Sequence, residues 1–342
     1  MRAEHHPDAE WLARDLSDIS AWLEVSPRTP TSSVTGGGAV AEVEKVLSGL
    51  HLGRPTLAVP SATYGMRVAL AALGVEAGDS VLVPALDWSS TSAAVRSLGA
   101  TPIYVQVDSH TLTIDPDAAA GLRTRRVRAV VACHLHGVPA DVLALRNKLD
   151  GLPIVEDAAQ AFGGTLDGYP IGALGDVAVF SFGPGKTIQA GEAGAVVFHD
   201  DTLREKAIQL ASHPVRQLLA GIANPAFGEL SIRVHPLAAV LLASRLRRWD
   251  LSAERLQTAA LADAIAELSG VHIIDRSSRA GVAPGPIPVY AAADFDFAPH
   301  SLAATQSGAR WLAEDAPAHQ PIVLPLCITR QHHPTAEKSG RG

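Results

Sequence analysis

Residues 177–198 read VAVFSFGPGKTIQAGEAGAVVF, and how this stretch is understood governs the rest of the chain. Val177–Phe182 is an apolar run of strand length, and Ala195–Phe198 is a second. Between them a glycine-rich turn carries one lysine, Lys186. Glycines let a backbone approach a ligand closely and adopt positive φ. A lysine held among apolar strands loses its proton more easily, which an amine nucleophile needs to form a Schiff base. A surface lysine in an ordinary turn would have the same spacing, so Lys186 has to be weighed with its surroundings.

The same alternation extends back to Thr56. Leu57–Pro60 leads into Thr63–Leu73, which has helical apolar spacing. Ser80–Pro84 is a strand ending in proline, followed by a helix around Ser92–Ser97. Pro102–Val107, Ala129–Cys133 and Pro153–Glu156 add strands, with a helix over Asp141–Leu149. Buried strands alternating with helices predict an α/β fold whose large domain holds a mostly parallel sheet flanked by helices. Ahead of it stand a helix over Asp8–Leu23 and a loop over Ser26–Gly38. Beyond it Pro236–Leu268 is a long helical stretch broken near Asp250. Val271–Ile274 and Ile287–Ala291 are weaker strands around a Gly/Pro-rich loop, Ala280–Pro288, and the tail from His332 is expected to fray. The boundary falls in Arg245–Arg255. Residues 1–245 then form the large domain, and 246–342 a small C-terminal α+β domain.

Composition narrows the class. Of 342 residues 47% are hydrophobic and 18% charged, which suits a core-rich enzyme rather than a disordered chain. The net charge of -7 and the lack of a basic stripe argue against nucleic acid. No apolar stretch is long enough for a membrane span, and the acidic N-terminal segment is unlike a signal peptide. Two cysteines, Cys133 and Cys327, make no disulfide framework, so a reducing cytoplasm is the expected compartment. The pairs His5-His6 and His332-His333 lack ligand-like companions, and no metal is expected.

In such sheets ligands sit beyond the carboxyl ends of the strands. The residues standing there carry chemistry. In Ile154-Val-Glu-Asp157-Ala-Ala-Gln160, two acids end an apolar strand and small residues follow. A carboxylate so placed can hold a protonated pyridine nitrogen and keep the ring an electron sink; a helix N-cap at Asp157 is the plainer alternative. Val59-Pro-Ser61-Ala62-Thr63 opens a helix, where free backbone N–H groups suit a phosphate, or where Ser61 is an ordinary cap. In Pro84-Ala-Leu-Asp87-Trp88, the tryptophan after a strand is placed to stack on a cofactor ring or else packs in the core.

Taken in order, these four segments resemble the nucleotide-sugar and aminocyclitol aminotransferase family (DegT/DnrJ/StrS type), a branch of the fold-type-I pyridoxal 5'-phosphate (PLP) enzymes. The resemblance runs from about Gly36 to Arg255 and includes Cys133-His-Leu-His136-Gly-Val-Pro-Ala-Asp141. It implies that Lys186 bonds to PLP and shuttles a proton, that Asp157 partners the pyridinium, and that Gln160 lies beside the ring hydroxyl. It implies further that Trp88 stacks on the ring and that Ala62, Thr63 and Ser181 cradle the phosphate. The family works as a homodimer whose sites borrow residues from the neighbouring subunit, and Ser231, two residues before Arg233, stands where an asparagine usually meets that neighbour's phosphate. Other departures are Ala62 for the usual glycine, Ala193 within Glu192-Ala193-Gly194, and a short segment after Arg255.

The resemblance implies transamination from an amino acid donor, glutamate or glutamine, to a keto-sugar, a nucleotide-linked keto-sugar or a ketocyclitol, in secondary-metabolite or cell-surface sugar biosynthesis. Two alternatives stand beside it. A sugar dehydratase of this fold has a histidine where Lys186 stands. A non-catalytic relative would fit the thin C-terminal part but leaves Lys186 and Asp157 without a purpose. Arg67, Arg216, Arg233 and Arg245 are the arginines available for a substrate diphosphate.

Overall fold

The computed structural model describes residues 9–25, 32–274, 280–281, 283–285, 287–291, 302–306, 310–311 and 326–330. Seven strands form the main sheet: β1 (Thr56–Val59), β2 (Ser80–Pro84), β3 (Thr101–Val105), β4 (Val127–Cys133), β5 (Ile154–Asp157), β6 (Val177–Ser181) and β7 (Gly194–Phe198). Their order across the sheet is β1-β7-β6-β5-β4-β2-β3. Pairing is parallel from β6 through to β3, whereas β7 runs antiparallel to both β1 and β6. One reversed strand in an otherwise parallel sheet matches the expected architecture.

Both faces of this sheet are covered, which explains why its strands are continuously apolar rather than alternating. Along β6, Val177 and Val179 point into one cluster with Met66, Leu70 and Ile208, while Ala178 and Phe180 point into another with Val43, Leu47 and Leu242. Helices α1 (Ala9–Val25), α2 (Ala39–Leu50), α3 (Ala62–Ala72), α4 (Ser89–Ser97), α5 (Val142–Leu149), α6 (Asp201–Ala211) and α7 (Pro236–Arg248) surround it. α3, α4 and α6 contribute to the first cluster and α2 and α7 to the second; α5 closes a third over Val130, Ala132 and Ile154. Each fully buried valine or phenylalanine there contributes about 1.5–3 kcal/mol.

Side-chain caps set the helix limits. Asp141 accepts from Ala144 N–H and starts α5. Asp250 accepts from Ser252 and Ala253 N–H, each at 3.0 Å, and starts α8 (Leu251–Ala266), so the long helical stretch breaks where the sequence places the break. α1 is tied to α7 by ion pairs, Asp15 to Arg245 and Arg248 and Asp18 to Arg247.

Three local expectations need correction. Ser32–Thr35 is a helical turn inside the expected loop, helix α4 begins at Ser89 rather than Ser92, and Ala280–Gly281 pairs with Thr165–Leu166 inside the second expected loop. Near the C-terminus, β8 (Val271–Ile273), β9 (Ile287–Ala291), β10 (Leu302–Gln306) and β11 (Leu326–Arg330) form an antiparallel sheet in the order β8-β9-β11-β10. Its last two strands were not expected. The frayed tail from His332 lies outside the described residues.

Candidate active site

The carboxyl edge of the main sheet is built in register. Gly194, at the start of β7, stands opposite Val59, the end of β1, on one side and opposite Ser181, the end of β6, on the other. A Cβ on Gly194 would lie 2.6 Å from the Ser61 carbonyl carbon and 2.8 Å from the Ala62 nitrogen, so only glycine lets β7 pass beneath the α3 N-terminus. Ser61 caps α3 by accepting from Tyr64 N–H at 3.2 Å. The cap and the anion site are therefore compatible, since the amides of Ala62 and Thr63 belong to the first turn and have no partner within the helix. Thr63 is exposed, Ala62 and Ser181 half-buried. These three residues and Gly194 form one corner.

Further along the edge, Asp157 ends β5 beside Cys133, the end of β4, and Val179 of β6. No helix follows Asp157. Its Oδ1 accepts from Ala159 N–H at 3.1 Å in a tight turn, and its Oδ2 accepts from the Thr91 hydroxyl at 3.5 Å. The N-cap alternative thus fails. Asp157 is half-buried as a residue, and burial of its carboxyl raises it above the usual range, with Ala159 N–H and the charge of Lys186 opposing.

Lys186 lies on the β6–β7 connection, half-buried, with its N–H donated to Gly183 O at 3.3 Å. Gly185 just before it takes φ +78°, which the turn requires. Burial lowers the Lys186 amine below its ordinary value, with Asp157 pulling the other way. Its Nζ sits 5.8 Å from the centroid of the Trp88 ring, and Trp88, 44% exposed, is no core residue. Lys186, Trp88 and Asp157 therefore converge on one spot.

Gln160 holds its neighbourhood from below: its Oε1 accepts from His136 N–H at 2.7 Å. Phe162, two residues on, stacks on Trp249 with centroids 4.7 Å apart and meets Phe182 edge-on at 5.4 Å, which pins this loop against the entry to α8. His136 itself has φ +55°, and burial followed by the charge of Lys186 pushes its imidazole down to about 4.

Next to Asp157 on the opposite face of β5, Glu156 is fully buried and its carboxylate is saturated. It accepts from Gly172 and Leu174 N–H at 2.9 Å, from Gly175 N–H at 2.5 Å and from His134 Nε2 at 3.0 Å. His134 Nδ1 takes the Ala140 N–H at 3.1 Å, so Nε2 carries the ring proton. Burial alone would raise Glu156, but these bonds hold it below its ordinary value.

Ser231 stands before α7, next to Ile232, whose N–H donates to the Tyr64 hydroxyl of α3 at 3.3 Å; the Ser231 hydroxyl is buried and finds no hydrogen-bond partner among the described residues. Two of the arginines considered for a diphosphate are committed elsewhere. Arg216 is buried against Glu44 at 2.7 Å, and Arg245 binds Asp15 and Gln189 O. Arg67 reaches Ser97 O at 3.5 Å, and Arg233 is exposed. Asp87, Thr91 and Cys133 have no role assigned from the sequence, although Asp87 and Cys133 also end strands; Asp87, Cys133 and Asp157 each offer a ligand-type atom within 4.8 Å of the others.

This arrangement invites comparison with known proteins. A 3-amino-5-hydroxybenzoate synthase of Amycolatopsis mediterranei (strain S699) is 34% identical over 223 residues, 63% of this chain and 56% of the relative. An L-glutamine:2-deoxy-scyllo-inosose aminotransferase of Streptomyces fradiae is 41% identical over 152 residues, 44% of this chain and 36% of the relative. The chain thus spans about half or less of the length of these curated relatives. The crystal structure of a 3-amino-5-hydroxybenzoic acid synthase superposes with a TM-score of 0.72 at 29% identity, covering 81% of this chain and 73% of that one. NtdA of Bacillus subtilis, solved with bound cofactor PMP, superposes at 0.68 with 27% identity, covering 82% and 64%. The model of the DegT/DnrJ/EryC1/StrS aminotransferase family matches residues 23–293, more than half of the sequence, and the chain belongs to that family.

Proposed function

We propose that this chain is a PLP-dependent aminotransferase that moves an amino group from glutamate or glutamine to a keto-sugar, nucleotide-linked keto-sugar or ketocyclitol. The observation that carries the reading is the meeting of Lys186, Asp157 and Trp88 at the sheet edge, one corner away from an α3 N-terminus that Gly194 leaves uncovered. The residues fit the cofactor. Ala62, Thr63 and Ser181 would hold its phosphate, Trp88 its ring face, Gln160 the ring-hydroxyl side and Asp157 the ring nitrogen. When bound, PLP supplies an electron sink that makes the bond to the amino donor's α-proton labile.

The chain's own residues supply the remainder. Burial makes the Lys186 amine easier to deprotonate than an exposed lysine, and its Nζ would take and return the substrate proton. Asp157 would supply the negative charge that keeps a proton on the ring nitrogen, and Trp88 would stack on the ring. We further infer a large unit over 1–245, a small one over 246–342, and a cytoplasmic setting. Among the described residues no helix is long and apolar enough to cross a membrane.

A homodimer completes the reading. Leu218, Leu219, Phe227 and Ile232 are 55–70% exposed in the stretch that also carries Ser231, and an apolar surface of this kind favours a protein partner. Ser231 would then meet the neighbour's phosphate. Sedimentation at assay concentration should give a dimer; a stable, active monomer would refute this part. The chemistry is tested by a half-reaction: glutamate or glutamine should convert the protein-bound cofactor to pyridoxamine phosphate, seen as a loss of visible absorbance. Failure with every amino donor would overturn the aminotransferase reading.

A further inference from the structure

Asp87 has no part in the chemistry just described, yet it is the most unusual group at the site. It ends the short strand Leu86–Asp87 and is 1% exposed. Its Oδ1 accepts from Trp88 N–H at 2.7 Å, while its Oδ2 is buried without a hydrogen-bond partner among the described residues. Its strand neighbour Leu86 belongs to an apolar cluster with Val107, Leu112, Cys133, Leu135 and Val138. An Asp87 oxygen, the Cys133 sulfur and an Asp157 oxygen lie within 4.8 Å of one another.

Resting on the assignment of Asp157 to the cofactor's ring nitrogen, we propose that Asp87 is a positioning residue that shares one proton with Asp157 in the cofactor-free protein and gives it up when a cation settles against Asp157. Two carboxylates so close and so poorly hydrated cannot both ionise cheaply, and a proton on Asp87 Oδ2 also removes the unpartnered charge. Burial, and then the charge of Asp157, push Asp87 up to about 7. Among the described residues, Lys186 and His134 act on Asp157, the Thr91 hydroxyl and the Cys133 thiol favour the charged form of Asp87, and burial holds that thiol protonated; the backbone of Arg310 stands in register with Asp87. A pyridinium at Asp157 would favour ionisation of both acids. The proton that Asp87 gives up goes to the ring nitrogen or to solvent, so the advantage that the Asp87 carboxyl gives to cofactor affinity grows as pH approaches about 7 and levels off above it.

The test compares wild type with Asp87→Asn. In the cofactor-free proteins, infrared titration should show a protonated-carboxyl C=O band in wild type that disappears near neutral pH and is missing from the variant. With PLP added, the ratio of wild-type to variant affinity should be near unity at pH ~5.5 and rise to about tenfold or more at pH ~8, since an opposite charge at this range shifts a carboxyl by one unit or more. Circular dichroism checks the fold, and Asp87→Ser replaces a variant that does not fold. A band that survives the substitution, or an affinity ratio constant with pH, overturns the proposal. If neither protein binds PLP the cofactor reading fails by itself, and the infrared band still decides whether the pair shares a proton.

Discussion

Glu156 and Asp157 are neighbours on one strand, and the two faces of β5 treat them in opposite ways. On one face Glu156 meets four donors that the chain itself provides, and its charge is fully compensated inside the protein. On the other, Asp157 has one backbone N–H and a long bond to Thr91, with a second acid, Asp87, close by. Burial wins at Asp157 and loses at Glu156. A buried carboxylate finished by its own chain is a structural bolt; one left short of partners is poised for a cation from outside. The contrast separates fold from function within two residues.

The largest effect belongs to the open face. Lys186→Ala should abolish the visible absorbance of bound cofactor and all turnover, because no other amine replaces a nucleophile on this turn. Absorbance and rate near those of wild type would end the assignment. Asp157→Asn keeps the shape of the side chain and removes its charge. Cofactor should still bind, less tightly, while the half-reaction slows at least a hundredfold, the consequence of losing about 3 kcal/mol of charge stabilisation. Stopped-flow rates within a few-fold of wild type would show that the carboxylate is only a turn former.

The closed face answers in stability instead. Glu156→Gln presents an amide to N–H donors that need an acceptor, so urea unfolding should show a loss of about 3 kcal/mol while the half-reaction of the folded variant changes little. The pH dependence has a definite sign. Glu156 is held below its ordinary value in the folded state, so its contribution is complete above the unfolded carboxylate range and is lost as pH falls through the depressed folded value. The gap between wild type and Glu156→Gln should therefore narrow on acidification. A gap that widens would mean that the donors around Glu156 do not favour its charge.

Much of this was legible in the sequence because the signals were local and repeated. The strands of the main sheet carry continuous apolar runs, and Asp141 and Asp250 announce helix starts. Lys186, Asp157 and Trp88 each stand just past a strand, where parallel sheets place ligands. What escaped depended on tertiary contact. β10, Leu302-Ala-Ala-Thr-Gln306, lacks alternation, and its pairing with β11 is what makes it a strand. Asp87 looks like any polar residue of a loop until β4 and β5 bring Cys133 and Asp157 beside it. Arg216 looked free for a substrate because its partner Glu44 lies on α2, 172 residues away in sequence.

Ser231 extends the contrast to the smallest scale, since its hydroxyl, like Asp157, is left unfinished by the chain. A buried hydroxyl with no partner costs free energy, so in a protein where nothing ever reaches it Ser231→Ala should be neutral or slightly stabilising. In a dimer that aims it at the neighbouring cofactor's phosphate, the same substitution removes one hydrogen bond to a charged group and should weaken PLP binding by about 1.5 kcal/mol, roughly tenfold. Unfolding and cofactor titration together discriminate, because the two accounts predict different signs in different experiments. Unchanged thermal stability with weaker cofactor binding would place Ser231 at a shared site. Increased stability with unchanged binding would leave it a defect of this chain's own packing, and the borrowed phosphate contact would have to come from another residue.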